Sequence, residues 1–263
     1  MTPNPNAFFD VEDETFIGTA AARGPWSPDH CHAGPVIGLI AGAAERAQDD
    51  DKFLVRLSVD LLAPVPMAGI RLSTEVTKSG RNVSMSETTV TDISGRVCAI
   101  GRSLSIKEVD LGDVPTAPSE TLRFEDAKPG LFPGAKDRAL PLFTSFVEVA
   151  YPPGQTTKNG PKTIWMKTLP IIAGEQPSPF QRLCGIADCG NGISKNAEIS
   201  EYAFMNTDIT IVRHRVSQSD WLATETRSDW NSVGAGLSTS VIHDDDGPIA
   251  SVLQPLLLRR QAS

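Results

Sequence analysis

Apolar and polar residues alternate with period two where the chain reads FLVRLSVDLLAPVP. Val55, Leu57, Val59 and Leu61 fall on one side, Arg56, Ser58 and Asp60 on the other. This predicts a strand with one covered face, which Pro64 and Pro66 end. Before it, VIGLIAGAAERAQ places Val36, Ile37, Ile40, Ala43, Ala44 and Ala47 on one helical face. Gly38 and Gly42 would be costly in an exposed helix and suit one that a sheet approaches closely. The segments IRLSTEVTKSG, RNVSMSETTVT and RVCAIGRSLSIKE predict three more strands, with Asp92–Gly95 as the turn between the last two. Phe8, Phe9, Phe16 and Ile17 suggest an added edge strand, and Arg23–Pro35 reads as loop.

Residues 107–143 are rich in proline and poorly periodic, and read as linker and crossing loop. LFTSFVEVAYPPG and TIWMKTLPIIAGE then restart the strand pattern. A second helix is expected where Phe180, Leu183, Cys184, Ile186 and Ala187 recur near a 3.6-residue period. Pro177 and Pro179 precede it and Gly190 and Gly192 follow. Asp188 lies at its C-terminal end, where the helix dipole disfavours a carboxylate. The next strand carries Asn206 and Asp208 among Phe204, Ile209 and Ile211. Polar groups in that setting need partners if they are buried. A regular strand would turn Thr207 to the face opposite Asn206, and a bulge would change that.

The two halves share a plan of helix followed by strands. A constant offset of 152 lays VTDISGRVCAIGRSLSI over VIHDDDGPIASVLQPLL, Gly95 meeting Gly247 and Val59 meeting Ile211. Few helices among many strands argue against a parallel α/β sheet. They predict an antiparallel sheet curled round one long helix, twice.

Composition adds exclusions. With 40% apolar and 21% charged residues among 263, and a net charge of −8 without a basic run, the chain shows no footprint for nucleic acid. The N-terminal residues do not resemble a signal peptide, and no apolar stretch of about 18 residues suggests a membrane span. Cys31, Cys98, Cys184 and Cys189 match no zinc or redox spacing and read as unpaired thiols of a cytoplasmic protein. His30, Cys31 and His32 are too close in sequence to converge on one metal ion. No metal and no cofactor are expected.

In order, WSPDHCHAGPV, RLSVDLLAPVP, GRNVSMSETTV and GRVCAIGRSLSI, then GEQPSPFQRLCGIADCGNGIS, FMNTDITIVRHR and DWLATETRSDWNSVGAGLSTSVIHDDDGPIASVLQ, resemble the TesB-like acyl-CoA thioesterases of the double hotdog superfamily over nearly the whole chain. The resemblance implies an α+β fold, a double hotdog of two tandem antiparallel sheets, each wrapped round a long helix. It places an N-terminal hotdog domain at 1–115, a linker at 116–145 and a C-terminal hotdog domain at 146–263. It implies hydrolysis of an acyl-CoA thioester, a place in lipid metabolism, and a homodimer or dimer of dimers. The family's water-activating trio falls on Asp188, on Gln254 and, in place of the usual hydroxyl, on Asn206. An amide still donates and accepts a hydrogen bond, though at a different reach. His32 and Gly34 sit where the family carries a His or Asn before two glycines, with Ala33 a departure; Trp26, Gly34 and Pro35 are read as shaping the helix start. Arg102 is read as the first-half equivalent of Gln254, and because it cannot accept from water it implies a silent first site.

Each assignment has a plainer rival. Asp188 could be a solvated helix-end carboxylate, Gln254 a surface strand residue, and Asn206 a structural amide. Asp208 competes as the carboxylate, with an ion pair to Arg213 or Arg215 as its plain reading. Lys78, Arg81, Arg96 and Arg102 are candidates for the coenzyme A phosphates, or ordinary solvated charges. Two other functions stay open. One is a dehydratase or hydratase on an acyl thioester, which would want a His–Asp pair and for which the sequence shows no His beside Asp188. The other is a non-catalytic acyl-CoA or lipid-binding protein.

Overall fold

The computed structural model describes residues 5–133, 140–156 and 158–261. The first half contains the hairpin β1 (Phe9–Glu12) and β2 (Thr15–Gly18), helix α1 (Ala33–Arg46), and strands β3 (Lys52–Leu61), β4 (Ile70–Ser79), β5 (Val83–Asp92) and β6 (Val97–Lys107). The second contains β7 (Lys128–Gly130), β8 (Glu148–Tyr151), β9 (Lys162–Lys167), α2 (Pro179–Ala187), α3 (Gly190–Ile193), β10 (Tyr202–Asn206), β11 (Asp208–Arg213), β12 (Leu222–Trp230), β13 (Ala235–Asp244) and β14 (Gly247–Arg260). Among the described residues these strands form one antiparallel sheet in the order β1-β2-β4-β5-β6-β3-β11-β14-β13-β12-β9-β8-β7, with β10 also on β14. The stretch read as linker thus contributes an edge strand, β7.

The halves meet where β3 runs antiparallel to β11, with Ser58 opposite Thr210. Alternation buries Leu57, Val59, Ile209 and Ile211 against the helices. The helices lie on each other as well. A methyl group on Gly34 would sit 3.0 Å from the Gly185 carbonyl oxygen, and one on Gly38 would sit 2.4 Å from Ile171 Cδ1. The glycines of α1 are contact points, but not for the sheet that their spacing suggested: Gly38 meets the Ile171 side chain and Gly42 the Gln181 side chain of α2.

The second helix departs from the expected plan. It is not one long helix. Ser178 caps it, accepting from the Gln181 N–H while the Gln181 side chain accepts from the Ser178 N–H. It runs for nine residues and breaks at Asp188, and α3 continues for only four.

The internal offset also needs correction. A shift of 152 carries Val83–Asp92 onto Ala235–Asp244. Beyond the following turn the shift becomes 151. Ser86 pairs with Ser103 on β6, while its counterpart Ser238 pairs with Gln254 on β14. The first turn holds Ile93, Ser94 and Gly95 between the paired residues Asp92 and Arg96. The second holds only Asp245 and Asp246 between Asp244 and Gly247. The first-half equivalent of Gln254 is therefore Ser103, not Arg102. Arg102 lies on the other face, with its side chain half exposed and bonded to Asp60 (2.8 Å) and Glu87 (3.0 Å).

Candidate active site

Asp188 ends α2 and is 4% exposed. Its own helix presents it with carbonyl oxygens. Across the helix–helix contact, however, α1 points its N-terminus at it, and the Gly34 N–H donates to Oδ2 at 2.9 Å. A helix N-terminus favours a carboxylate, so the second helix offsets what the first disfavours. Nδ1 of His32, the N-cap of α1, lies 3.0 Å from the same oxygen. The Gly34 N–H is also 3.2 Å from Nδ1. Two bare acceptors that close would repel, so a hydrogen on Nδ1 donating to Oδ2 gives the satisfied arrangement. The imidazole stacks on Phe143 at 4.1 Å, and Phe143 stacks on Phe8.

Oδ1 faces the sheet. Asn206 Nδ2 donates to it at 2.7 Å and Gln254 Nε2 at 3.3 Å. Gln254 is fully buried; its Nε2 also lies 3.3 Å from the Asp188 carbonyl oxygen, and its Oε1 accepts from the Asn191 N–H. Asn206 reaches this position because the strand breaks after it. Asn206 pairs with Leu256 on β14, but Thr210 pairs with Leu253, so the register slips by one residue and Thr207 stands between β10 and β11. That irregularity separates Asn206 from Asp208, which instead lies opposite Asp60 across the seam. Burial, and then the Asp60 charge, push the Asp208 carboxyl up. Its expected ion pairs do not form. Arg215 binds Asp244, and Arg213 is buried against Phe180 and the Leu54 carbonyl.

The sequence singled out Asp188, Asn206 and Gln254 as candidates, and the structure brings the three side chains within hydrogen-bond reach of one another. The sequence also placed His32 and Gly34 at the start of α1 and did not show that both meet Asp188. The statement that Asp188 has no His beside it is corrected: the His comes from the other helix, and only its place before Gly34 and Pro35 hinted at a cap. Neighbouring Cys189 is no alternative nucleophile, because burial, and then the Asp188 charge, push its thiol up.

The candidate phosphate-binding cations lie apart from one another. Lys78, near the end of β4, and Arg81, in the β4–β5 turn, lie at the tip of that hairpin, whose Ser84 and Met85 line a small cavity with Ala47 and Gln48, just past the C-terminal end of α1. Asp188 meets the opposite end of that helix, a length of about 21 Å at 1.5 Å per residue. Arg96 bonds Asp92 and the Pro64 carbonyl, and the adjoining Val65 and Pro66 are bonded or bridged to Cys31 and His30, beside the start of α1. A groove of about 600 Å³ on the outer face of β12–β14, lined by Lys162, Glu225, Arg227 and Leu253 among others, is separate from this site.

Residues 120–258 match the family model for the acyl-CoA thioesterase C-terminal domain, and residues 22–105 match that for the N-terminal domain. The chain belongs to the acyl-CoA thioesterase family. As a member it is a thioesterase, a hydrolase of acyl thioesters. Among solved structures it is similar to a candidate thioesterase from Novosphingobium aromaticivorans, with 17% identity, 96% of this chain and 98% of that chain covered, and a TM-score of 0.73. It is similar to a conserved hot dog fold protein of unknown function from Alicyclobacillus acidocaldarius, with 14% identity, 98% of each chain and a TM-score of 0.73. It is also similar to acyl-CoA thioesterase II from Mycobacterium marinum, with 18% identity, 97% and 95% covered, and a TM-score of 0.61. At these identities the likeness establishes the hotdog fold. No match was found among curated proteins. Among the described residues, no helix of this thioesterase is long and apolar enough to cross a membrane.

Proposed function

We propose that the chain hydrolyses an acyl-CoA thioester by direct attack of water activated at Asp188. The observation that carries this reading is the convergence of Asn206 and Gln254 on one oxygen of a buried carboxylate. Water seated against Oδ1 is within reach of both amides. Asn206 spends an N–H on Asp188 and keeps its carbonyl oxygen to accept from that water. Asp188 takes the water's proton as its oxygen bonds to the thioester carbon. The tetrahedral intermediate then collapses, the C–S bond breaks, and the proton passes from Asp188 to the leaving thiolate. His32 and Gly34 hold the other carboxylate oxygen and so fix the direction of Oδ1.

The register relation between the halves supports a double hotdog, with units at 1–115 and 146–263 joined by 116–145. The first unit is silent in this reading, since Ser103 stands where Gln254 stands in the second. Of Lys78, Arg81, Arg96 and Arg102, Arg96 is favoured for the coenzyme A phosphates, because it lies near the α1 start. A homodimer or dimer of dimers is proposed as the assembly, measurable by light scattering.

The test is thiol release from acyl-CoA by the parent and by Asp188→Asn. Turnover with a loss of at least about a hundredfold in the variant is expected for removal of a general base. Undiminished turnover would sink the assignment. The His32–Asp188 contact gives a second reading, hydration or dehydration of an acyl thioester. Loss of an enoyl chromophore without thiol release would favour it.

A further inference from the structure

The imidazole that meets Asp188 is held in a stack of three rings. His32 lies flat on Phe143, with centroids 4.1 Å apart and planes 9° from parallel, and Phe143 lies on Phe8 at 5.5 Å and 21°. Phe8 is fully buried and Phe143 is 1% exposed. The rings come from three separate stretches. Phe8 precedes β1, His32 caps α1, and Phe143 opens the short helical turn Phe143–Ser145 in the stretch between the halves.

One short segment fixes the backbone of all three. Thr19, which caps the turn Ala20–Ala22, donates its N–H to the Phe8 carbonyl at 2.9 Å. The His32 N–H donates to the Ala22 carbonyl at 2.7 Å, and the Phe143 N–H donates to the next carbonyl, that of Arg23, at 2.9 Å. His32 and Phe143 therefore hang from adjacent peptide units. Arg23 returns the contact, its Nη1 donating to the Pro141 carbonyl at 2.6 Å.

The stack supplies what the imidazole lacks by itself. The ring torsion of a histidine is broad and roughly two-fold, so a free imidazole keeps no single plane. Packed flat against Phe143, an arrangement that aromatic rings favour, it keeps one. Within that plane, one of the two orientations points Nδ1 at Asp188 Oδ2, 3.0 Å away. The other would present a C–H there. A side chain without a flat face leaves the plane free to turn and the Nδ1–H free to miss its acceptor.

We infer that Phe143 is a positioning residue of the active site, acting through His32 on Asp188, so that the stretch between the halves contributes to catalysis. This rests on Asp188 being the catalytic carboxylate.

The experiment measures kcat and KM for thiol release from acetyl-, octanoyl- and palmitoyl-CoA, using the parent, Phe143→Leu, His32→Ser and the double variant. Leucine keeps an apolar contact and lacks the flat face. Serine still caps α1 and carries no ring. Phe143→Leu is expected to lower kcat by about tenfold to a hundredfold, as misorientation does, with KM within about twofold of the parent. In the His32→Ser background the same substitution should change kcat by less than about twofold, because the two residues act as one. A Phe143→Leu protein, folded by circular dichroism, that keeps parental kcat, or that loses the same factor with and without His32, overturns the inference and leaves the hydrolytic reading standing. Thiol release from none of the three, or release unaffected by Asp188→Asn, overturns the reading beneath it. Should Phe143→Leu fail to fold, Phe143→Met takes its place with the same expectations. Nuclear magnetic resonance of protein carrying isotope-labelled histidine reads the ring without turnover. The His32 signals, assigned by their loss in His32→Ser, should report the Nδ1–H tautomer in the parent and a mixture of tautomers in Phe143→Leu; the same tautomer in both overturns the inference.

Discussion

Thr210 Oγ1 donates to Ser58 Oγ at 3.0 Å, and these two residues are each other's counterparts under the 152-residue shift. They face each other on adjacent strands, so the bond lies on the pseudo-twofold axis relating β3 to β11. The backbone pairing at this seam is reciprocal, Leu57 facing Ile211 as Val59 faces Ile209. Such reciprocal pairing is the form an isologous interface takes, and it is what supports the proposed double hotdog.

The two amides at Asp188 act through one oxygen, so their removal should not be additive. Asn206→Ala and Gln254→Ala are each expected to lower kcat by about tenfold to a hundredfold, with little change in KM, as loss of orientation does. The double variant should lose less than the product of the two. Steady-state kinetics on the four proteins checks this; strictly multiplicative losses would separate the two residues.

Gly34→Ala should damage both stability and rate. The added methyl meets the Gly185 carbonyl oxygen at 3.0 Å, which is backbone and cannot rotate away. Overpacking of this kind costs about 1–3 kcal/mol. It also drives the α1 N-terminus from Oδ2. A lower melting temperature together with a lower kcat is expected, and unchanged kcat in folded protein would detach the helix contact from catalysis.

Asp208→Asn should stabilise the protein at neutral pH. Asp208 stands opposite Asp60, and burial followed by the Asp60 charge raises its carboxyl pKa. A raised carboxyl means that the folded state holds its proton more tightly than the unfolded state, so ionisation at higher pH works against folding. Relief of a like-charged cross-strand pair amounts to about 0.2–1 kcal/mol. Melting curves at pH 7 and pH 4 should show the gain shrinking at the lower pH, while thiol release stays near parental levels.

His243 gives the opposite slope. It is buried, and its ring nitrogens lack a hydrogen-bond partner, with Glu225 3.4 Å away. Burial pushes its pKa below 6.5 despite Glu225 and Asp244. The unfolded chain then takes up a proton first as pH falls through about 6.5, and stability declines from there toward the folded pKa. In His243→Gln the decline between pH 7 and pH 5 should be shallower. An identical slope would place the acid sensitivity elsewhere.

Much of this architecture is legible in local pattern. Period-two alternation marks β3, and the proline-to-glycine punctuation places α2. The trio at Asp188 is legible only through family resemblance, since nothing in the spacing of residues 188, 206 and 254 brings them together. Three features lay beyond reach for physical reasons. The short α3 beyond the break is held by Thr226 on β12, whose hydroxyl donates to the Gly190 carbonyl, and this partner is remote in sequence. The contact of His32 with Asp188 depends on how two helices cross. The mismatch between Arg102 and Gln254 arises from a turn one residue longer in the first half, which gapless comparison of two short meanders does not reveal.

In the proposed reading of a double hotdog with one silent half, the pairing of His32 and Gly34 with Asp188 bears on why that half persists. A duplicated unit that loses its own carboxylate is free to decay unless it serves its twin. The N-terminal half supplies the helix N-terminus and the imidazole that meet Asp188. On that reading, selection on the chemistry at Asp188 acts on the helix start of the first half as well, and the two halves would be inherited, and would fail, as one catalytic unit.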